Sequence, residues 1–195
     1  MLKRLSDLRE LRPVFKEFGK KHPDIWDLCI YGSFVRGKSG SRDIDIAIIM
    51  KKLAALENKL SISQELRSQL KETYKHDFDV RCVDIKDFLN PSFMARTGIL
   101  GEGVLLTSGK PLSEKLGFRT YALFVYTLQN LTNTEKVKFN YSLNGRRGEN
   151  GLIKVKNCEH LGSGVLKVPV EHSEEFIEFF EKHKVNYKIS KALFY

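Results

Sequence analysis

The residues Ile30–Met50, IYGSFVRGKSGSRDIDIAIIM, predict a strand, a tight turn and a second strand. An apolar run, Trp26 to Tyr31, ends at Gly32 and Ser33, where a strand can pass directly into the first turn of a helix. Backbone N–H groups at a helix start have no partner within the helix and carry partial positive charge, so they favour a phosphate. The Gly32–Ser33 step is therefore typical of a phosphate-binding turn.

Two aspartates stand one residue apart at the start of the second apolar run, Ile44 to Ile49. Because side chains alternate across a strand, Asp43 and Asp45 share one face of it. Two carboxylates held side by side repel each other and are costly to keep ionised without a cation. Oxygen ligands beside a phosphate site indicate Mg²⁺, and a third carboxylate is expected from elsewhere in the sheet.

The sequence DFDVRCVD, residues 77–84, predicts the strand that supplies this third carboxylate. Apolar and polar residues alternate in it, so Asp77, Asp79 and Arg81 lie together on the polar face. Asp79 is central and is the preferred ligand. Asp77 stays open as the alternative because the ends of predicted strands shift by a few residues. Arg81 is expected to pair with Asp79.

Together these residues resemble the minimal nucleotidyltransferases of the polymerase beta superfamily. The pattern Gly-Ser-x-x-Arg-Gly, followed by Asp-hydrophobic-Asp, stands here as Gly32 to Gly37 and Asp43 to Asp45. The segment ILGEGVLL, residues 99–106, resembles the closing segment of the same family. The resemblance covers residues ~5 to ~108, a little over half of the chain. Two departures are a shorter loop between the motifs and Arg42, which stands where a serine usually precedes the first aspartate.

The resemblance implies a fold and a reaction. The fold is α+β, with a nucleotidyltransferase-like mixed sheet flanked by helices in a domain of residues 1–108. The reaction transfers a nucleoside monophosphate, expected to be AMP from ATP, to a hydroxyl of an acceptor. Asp43, Asp45 and Asp79 are implied as catalytic residues that bind two Mg²⁺ ions, with Mn²⁺ as an alternative metal.

The resemblance also assigns the nucleotide to the turn and to the loop that follows it. Gly32 would let the backbone approach the triphosphate, and Ser33 would bond a phosphate oxygen. Arg36 or Lys38 would add positive charge near the leaving pyrophosphate. Arg36 has an alternative interpretation, because an exposed loop arginine is often simply solvated.

A second, smaller α+β domain is expected over residues 118–195, after a turn-rich linker at residues 107–117. We expect it to hold the acceptor, and it resembles no family known to us. The predicted elements of this domain are a helix over Phe118–Leu131, a helix over Glu135–Leu143, a strand over Leu152–Val155, a strand over Val165–Val170, a helix over Ser173–His183 and a strand over Tyr187–Tyr195.

The net charge of +9 bears on the partner. Residues 1–117 carry 21 Lys and Arg against 16 Asp and Glu, and residues 118–195 carry 12 against 8, so both parts share the excess. Such a charge is compatible with RNA or DNA as a partner, and it is also common where lysines keep a protein soluble. The loop residues Arg146 and Arg147 are accordingly either solvated or a contact for an acceptor or a nucleic acid.

Several classes of protein are excluded by the sequence. Its apolar runs are far shorter than the ~18–20 residues of a membrane span, and its N-terminus lacks a secretory apolar core, so a cytoplasmic location and no membrane are expected. The three cysteines, Cys29, Cys82 and Cys158, are widely spaced, which argues against a disulfide framework or a zinc site.

The sequence thus predicts a transferase that binds ATP and a divalent metal, with a nucleoside triphosphate and an acceptor as partners. A protein or an RNA acceptor is favoured over a small molecule. One alternative is a regulator that binds a nucleotide or a nucleic acid without chemistry. Another is the antitoxin of a toxin–antitoxin pair, a role that some minimal nucleotidyltransferases have.

Overall fold

The computed structural model describes the backbone of residues 2–36 and 43–195, and the side chains of residues 11–36 and 43–195. The chain divides into two compact units, residues 1–117 and residues 118–195. Among the described residues, no helix combines the length and the apolar content that a membrane crossing requires.

The first unit builds a four-stranded mixed sheet from alternating helices and strands. Its helices are α1 (Leu2–Lys21), α2 (Ser33–Arg36), α3 (Leu56–Thr73), α4 (Ile85–Leu89), α5 (Ala95–Glu102) and α6 (Leu112–Lys115). Its strands are β1 (Ile25–Tyr31), β2 (Asp43–Met50), β3 (Asp77–Val83) and β4 (Val104–Leu105), in the order β3-β2-β1-β4. β2 and β3 are parallel because α3 carries the chain back between them, whereas β1 is antiparallel to both β2 and β4. The predicted mixed sheet flanked by helices is confirmed.

Each face of this sheet has its own apolar contacts. On one face, Ile44, Ile46 and Ile48 of β2 pack with buried side chains of α1 and α3, among them Phe18 and Leu70. On the other face, a second cluster joins β1, β2 and β3 to α5 and α6. Full burial of such a side chain stabilises the fold by about 1.5–3 kcal/mol. These contacts fix which side of β2 faces which helices.

A buried carboxylate, Asp27, ties β1 to the chain that follows β4. It accepts hydrogen bonds from the backbone N–H of Leu28 at 2.7 Å and of Thr107 at 3.3 Å, and from the Thr107 hydroxyl. A buried carboxylate is costly unless such donors replace water, so this residue has a structural role.

The second unit forms a four-stranded antiparallel sheet in the order β6-β7-β5-β8. Its elements in chain order are β5 (Arg119–Thr127), α7 (Asn133–Asn144), α8 (Leu152–Val155), β6 (Glu159–Gly162), β7 (Val165–Pro169), a 3₁₀ turn (Val170–His172), α9 (Ser173–Lys182) and β8 (Asn186–Phe194). The expected small α+β unit after the first sheet is confirmed.

Two element predictions in this unit are wrong. The segment predicted as a helix over Phe118–Leu131 contains strand β5, in which Thr120, Ala122 and Phe124 are buried at every second position. Its apolar residues also fit a helical spacing, but its Tyr, Phe, Val and Thr residues favour a pleated surface. The segment predicted as a strand over Leu152–Val155 is the short helix α8.

The core of the second unit is aromatic and lies on one side of its sheet. Phe124 of β5 stacks on Phe180 of α9, with ring centroids 5.2 Å apart and planes inclined by 17°. Phe139 of α7 and Phe176 of α9 are buried in the same cluster, beside Leu166 and Val168 of β7. Both long helices therefore pack on the same face of the sheet.

Candidate functional site

The parallel pairing of β2 with β3 places four aspartates in two rows on one face of the first sheet. Asp43 is the register partner of Asp77, and Asp45 is the partner of Asp79. Because side chains alternate along both strands, all four project away from the face on which Ile44 lies buried. Asp45 and Asp79 are half-buried, whereas Asp43 and Asp77 are exposed. The structure thus brings the predicted Asp43, Asp45 and Asp79 together on the expected face.

The neighbouring carboxylates act on the pKa of Asp45. Burial, then the neighbouring Asp43 and Asp79 carboxylates, raise the pKa of Asp45 above its ordinary value, although Arg81 and Arg36 act in the opposite direction. Burial and the charge of Asp45 also raise the pKa of Tyr31, which is the register partner of Asp45 on β1. Burial and the neighbouring carboxylates therefore both disfavour the ionised form of Asp45.

The predicted turn stands directly beside Asp45. Gly32 has a φ of +79°, and a Cβ at this position would lie 2.2 Å from Oδ2 of Asp45. Its carbonyl oxygen accepts a hydrogen bond from the backbone N–H of Arg36 at 3.2 Å, so α2 begins at Ser33 as expected. Glycine is required here for two reasons, the left-handed backbone and the close approach of a carboxylate.

Arg81 pairs with Asp79, as its place on the same face predicts. Its Nε and Nη2 donate to Oδ2 of Asp79 at 3.1 and 2.9 Å. Both bonds use the same carboxylate oxygen, so Oδ1 of Asp79 receives no bond from Arg81. The ion pair is partly exposed on both sides, and water therefore weakens it.

The donor chemistry of the face fits a divalent cation. Carboxylate oxygens are the ligands that Mg²⁺ and Mn²⁺ prefer. Burial first, and then the charges of Asp43 and Asp79, raise the pKa of Asp45, and a cation would favour its ionised form. Within residues 11–36 and 43–195, no three Asp, Glu, His or Cys side chains have the spacing to hold a metal ion. Binding of a metal ion by Asp43, Asp45 and Asp79 stays a prediction.

Glu102 is a residue of this region to which the sequence assigned no role. Its side chain is 1% exposed and accepts a hydrogen bond from Nη1 of Arg36 at 2.6 Å, which joins α5 to α2. The signal in the sequence is a glutamate inside an otherwise apolar segment, ILGEGVLL. Arg36, predicted to bind the nucleotide, thus has a partner inside the unit, and its contact with a phosphate stays a prediction.

The remaining residues to be placed are Lys38, Arg42, Arg146 and Arg147. Lys38 and Arg42 lie outside the part of the chain that the structure describes. Arg146 and Arg147 belong to the second unit, where both are exposed after α7. The guanidinium carbon of Arg146 lies 4.6 Å from the ring centroid of Tyr141. A contact of these two arginines with an acceptor or a nucleic acid stays a prediction.

Comparison with known proteins gives one family. Residues 15–111 match the family model described as polymerase beta, nucleotidyltransferase. No curated protein matches the chain.

Solved structures give weak likenesses. One is the MNT antitoxin complex with a tri-AMPylated HEPN toxin of Shewanella oneidensis, at 19% identity over 56% of this chain and 78% of that chain, with a TM-score of 0.38. A toxin–antitoxin structure with AMP-PNP has 20% identity over 54% and 78%, with a TM-score of 0.38. The toxin–antitoxin MntA-HepT has 18% identity over 55% and 78%, with a TM-score of 0.37. Scores this low carry no argument here.

Substitution of Gly32 tests the geometry of the turn. Gly32→Ala should cost about 1–2 kcal/mol of unfolding free energy, because the left-handed backbone disfavours a side chain and the new methyl group displaces Asp45. Gly19→Ala is the matched control, since a Cβ there meets nothing within 4 Å. It lies in α1 and should be neutral or stabilise by up to about 1 kcal/mol. Urea unfolding measures both, and equal effects would contradict the turn described here.

The Arg36–Glu102 pair yields a second prediction. Arg36→Ala removes a cation from a buried carboxylate and should cost about 3–5 kcal/mol of unfolding free energy. Glu102→Gln keeps the volume of the side chain and removes its charge, so the double variant should lose less than the sum of the two single losses. Strictly additive losses in chemical unfolding would show that the two side chains do not interact.

Proposed function

We propose that this chain, whose residues 15–111 belong to the polymerase beta nucleotidyltransferase family, transfers AMP from ATP to an acceptor hydroxyl with the help of a divalent metal ion. Family membership makes the first unit a nucleotidyltransferase domain. The metal, the nucleotide and the acceptor are what the proposal adds.

The observation that carries the proposal is the register of β2 with β3. It sets Asp45 beside Asp79, with Asp43 on the same face, next to the Gly32–Ser33 turn. Carboxylates around a phosphate-binding turn are the arrangement that phosphoryl and nucleotidyl transfer require, because charge must be neutralised on the phosphates and on the attacking oxygen.

Each residue has a distinct role in the proposed reaction. Asp43, Asp45 and Asp79 would hold the divalent cation. When bound, the cation supplies positive charge to the phosphates and lowers the pKa of the attacking hydroxyl. Oδ1 of Asp79 accepts the proton of that hydroxyl, as a general base. The Ser33 hydroxyl and backbone N–H donate to a phosphate oxygen of ATP as pyrophosphate leaves.

The acceptor is proposed to be a hydroxyl of a protein or an RNA. The positive charge shared by both units favours RNA, because phosphates are attracted by an excess of Lys and Arg. An antitoxin role is the special case in which the acceptor is a partner toxin, and it is supported only by the sequence resemblance.

A binding protein without chemistry is the second candidate, and the Arg81–Asp79 ion pair favours it. A guanidinium that satisfies a carboxylate reduces its need for a metal ion. In that case the unit would bind a nucleotide or a nucleic acid and transfer nothing. The two candidates predict different results. The transferase should show transfer that is lost when a carboxylate is removed, whereas the binding protein should show no transfer in the wild type or in any variant.

The experiment that separates them is transfer of label from each of four nucleoside triphosphates labelled at the α-phosphate, with Mg²⁺ or Mn²⁺. Pooled RNA and pooled protein serve as acceptors. The wild-type chain should label one pool from ATP. Asp43→Asn and Asp79→Asn should lose on the order of 10²-fold or more, because they remove a ligand or the base.

Asp77→Asn is the matched control, since Asp77 lies on the same face one pair further along the strand. It should retain activity within a few-fold. If Asp77→Asn loses activity and Asp79→Asn does not, Asp77 is the third carboxylate. Absence of transfer in the wild type and in all variants, with ATP binding intact, would favour the binding protein.

A further inference from the structure

The sheet of the second unit has one face that its own helices do not cover. Ala122 and Phe124 of β5 point toward α7 and α9, so the alternate residues of the strand point the other way. The register extends this outer face onto β7 and β8. We call it the open face and define it by Arg119, Tyr121, Val125, Lys167, Lys188 and Phe194.

Two aromatic rings meet on the open face, at the end of the sheet where Arg119 pairs with Phe194. Tyr121 and Phe194 meet edge to face, with ring centroids 5.3 Å apart and planes inclined by 89°. The Lys167 ammonium lies 4.9 Å from the Tyr121 ring centroid and 5.3 Å from that of Phe194. Lys167 is also paired with Glu159 of β6. These contacts hold both half-buried rings in place on the outer side of the sheet.

The acidic side chains of the second unit lie mostly away from its strands. Seven of its eight acidic residues lie on helices or connections: Glu135, Glu149, Glu171, Glu174, Glu175, Glu178 and Glu181. The eighth, Glu159, is the partner of Lys167. Four of the unit's twelve basic residues lie on the strands. Arg119, Lys167 and Lys188 lie on the open face, whereas Lys191 is the register partner of Ala122 on the opposite face. The open face is therefore the positive side of a unit whose helix α9 is acidic.

Rings flanked by cations match the chemistry of unpaired nucleotides. A base without a partner strand offers a π face that stacks on Tyr or Phe, and its phosphate pairs with Arg or Lys. A duplex hides its base faces, so it gains little from exposed rings. An apolar protein partner would fit Val125, which is 52% exposed, but not the surrounding positive charge.

We propose that the open face binds single-stranded RNA, with bases stacked on Tyr121 and Phe194 and phosphates held by Arg119 and Lys188. The choice of RNA over DNA rests on the proposed function, because an RNA terminus offers acceptor hydroxyls on two neighbouring carbons. The binding itself does not depend on transfer. It supplies a role for the two rings and for the cations of the open face.

Fluorescence anisotropy of a labelled 12-nucleotide RNA with the full chain tests the proposal. The wild type should bind, with affinity that falls as salt rises from 50 to 200 mM. Tyr121→Leu and Phe194→Leu keep apolar bulk but remove a ring, and each should weaken binding about 5- to 150-fold. Lys188→Gln changes an exposed side chain and should reduce the salt slope by about one.

Tyr141→Leu is the matched control, because Tyr141 is an exposed aromatic residue on α7, away from the open face. It should bind RNA like the wild type. The proposal would be overturned if Tyr141→Leu or Arg146→Ala lost RNA affinity while Tyr121→Leu and Phe194→Leu kept it. It would also be overturned if the wild type did not bind RNA at 50 mM salt.

Three further arms identify the occupant and separate this proposal from the proposed function. Single-stranded DNA and duplex RNA of the same sequence should bind at least about tenfold more weakly, and tighter binding of either overturns the choice of single-stranded RNA. If the wild type does not bind RNA but forms a dimer, and Tyr121→Leu dissociates that dimer, the open face binds a second copy of the chain. Asp43→Asn should bind RNA like the wild type while it loses transfer. A wild type that binds RNA but transfers nothing to any acceptor would refute only the transferase.

Discussion

The register of β2 with β3 holds several carboxylates together. Their mutual repulsion is the constraint on which the first unit depends. The pairing of Asp45 with Asp79, and of Asp43 with Asp77, follows from the same register that buries Ile44 and Ile46 against α1 and α3. A slip of one residue would move the aspartates into the core and the isoleucines to the surface. The apolar contacts of β2 therefore enforce an arrangement that its aspartates alone would not adopt.

Cations of the chain offset part of that repulsion. Arg81 bonds to Asp79, and both Arg81 and Arg36 lower the pKa of Asp45 without cancelling the effects of burial and of the other carboxylates. Arg36 is itself bonded to buried Glu102. Burial and the neighbouring carboxylates thus disfavour the ionised form of Asp45 beside a turn that lacks a Cβ, and a divalent cation bound with a nucleotide would favour that form.

The sequence predicted the parts of the site that depend on local periodicity. Alternation in β2 and β3 was enough to place Asp43, Asp45 and Asp79 on one face, and the Gly-Ser step located the turn. The sequence could not predict the Arg36–Glu102 pair, because residues so far apart along the chain meet only through the packing of α5 on the sheet. The prediction of a helix over Phe118–Leu131 was wrong because the apolar spacing of this segment fits both a helix and a strand. Its buried residues alternate along the chain, as they do in a strand. Asp77 shares the face with Asp79, so the choice between them stays a prediction.

Thermal unfolding with and without a divalent cation tests the shared carboxylate charge most directly. With a chelator, Asp45→Asn should melt a few degrees above the wild type, because it removes a charge that burial and its neighbours disfavour. With Mn²⁺ at about one hundred times its Kd, the wild type should gain about 2.7 kcal/mol and overtake the variant, which should gain much less. Equal stability of the two in chelator, together with an equal response to Mn²⁺, would contradict the account.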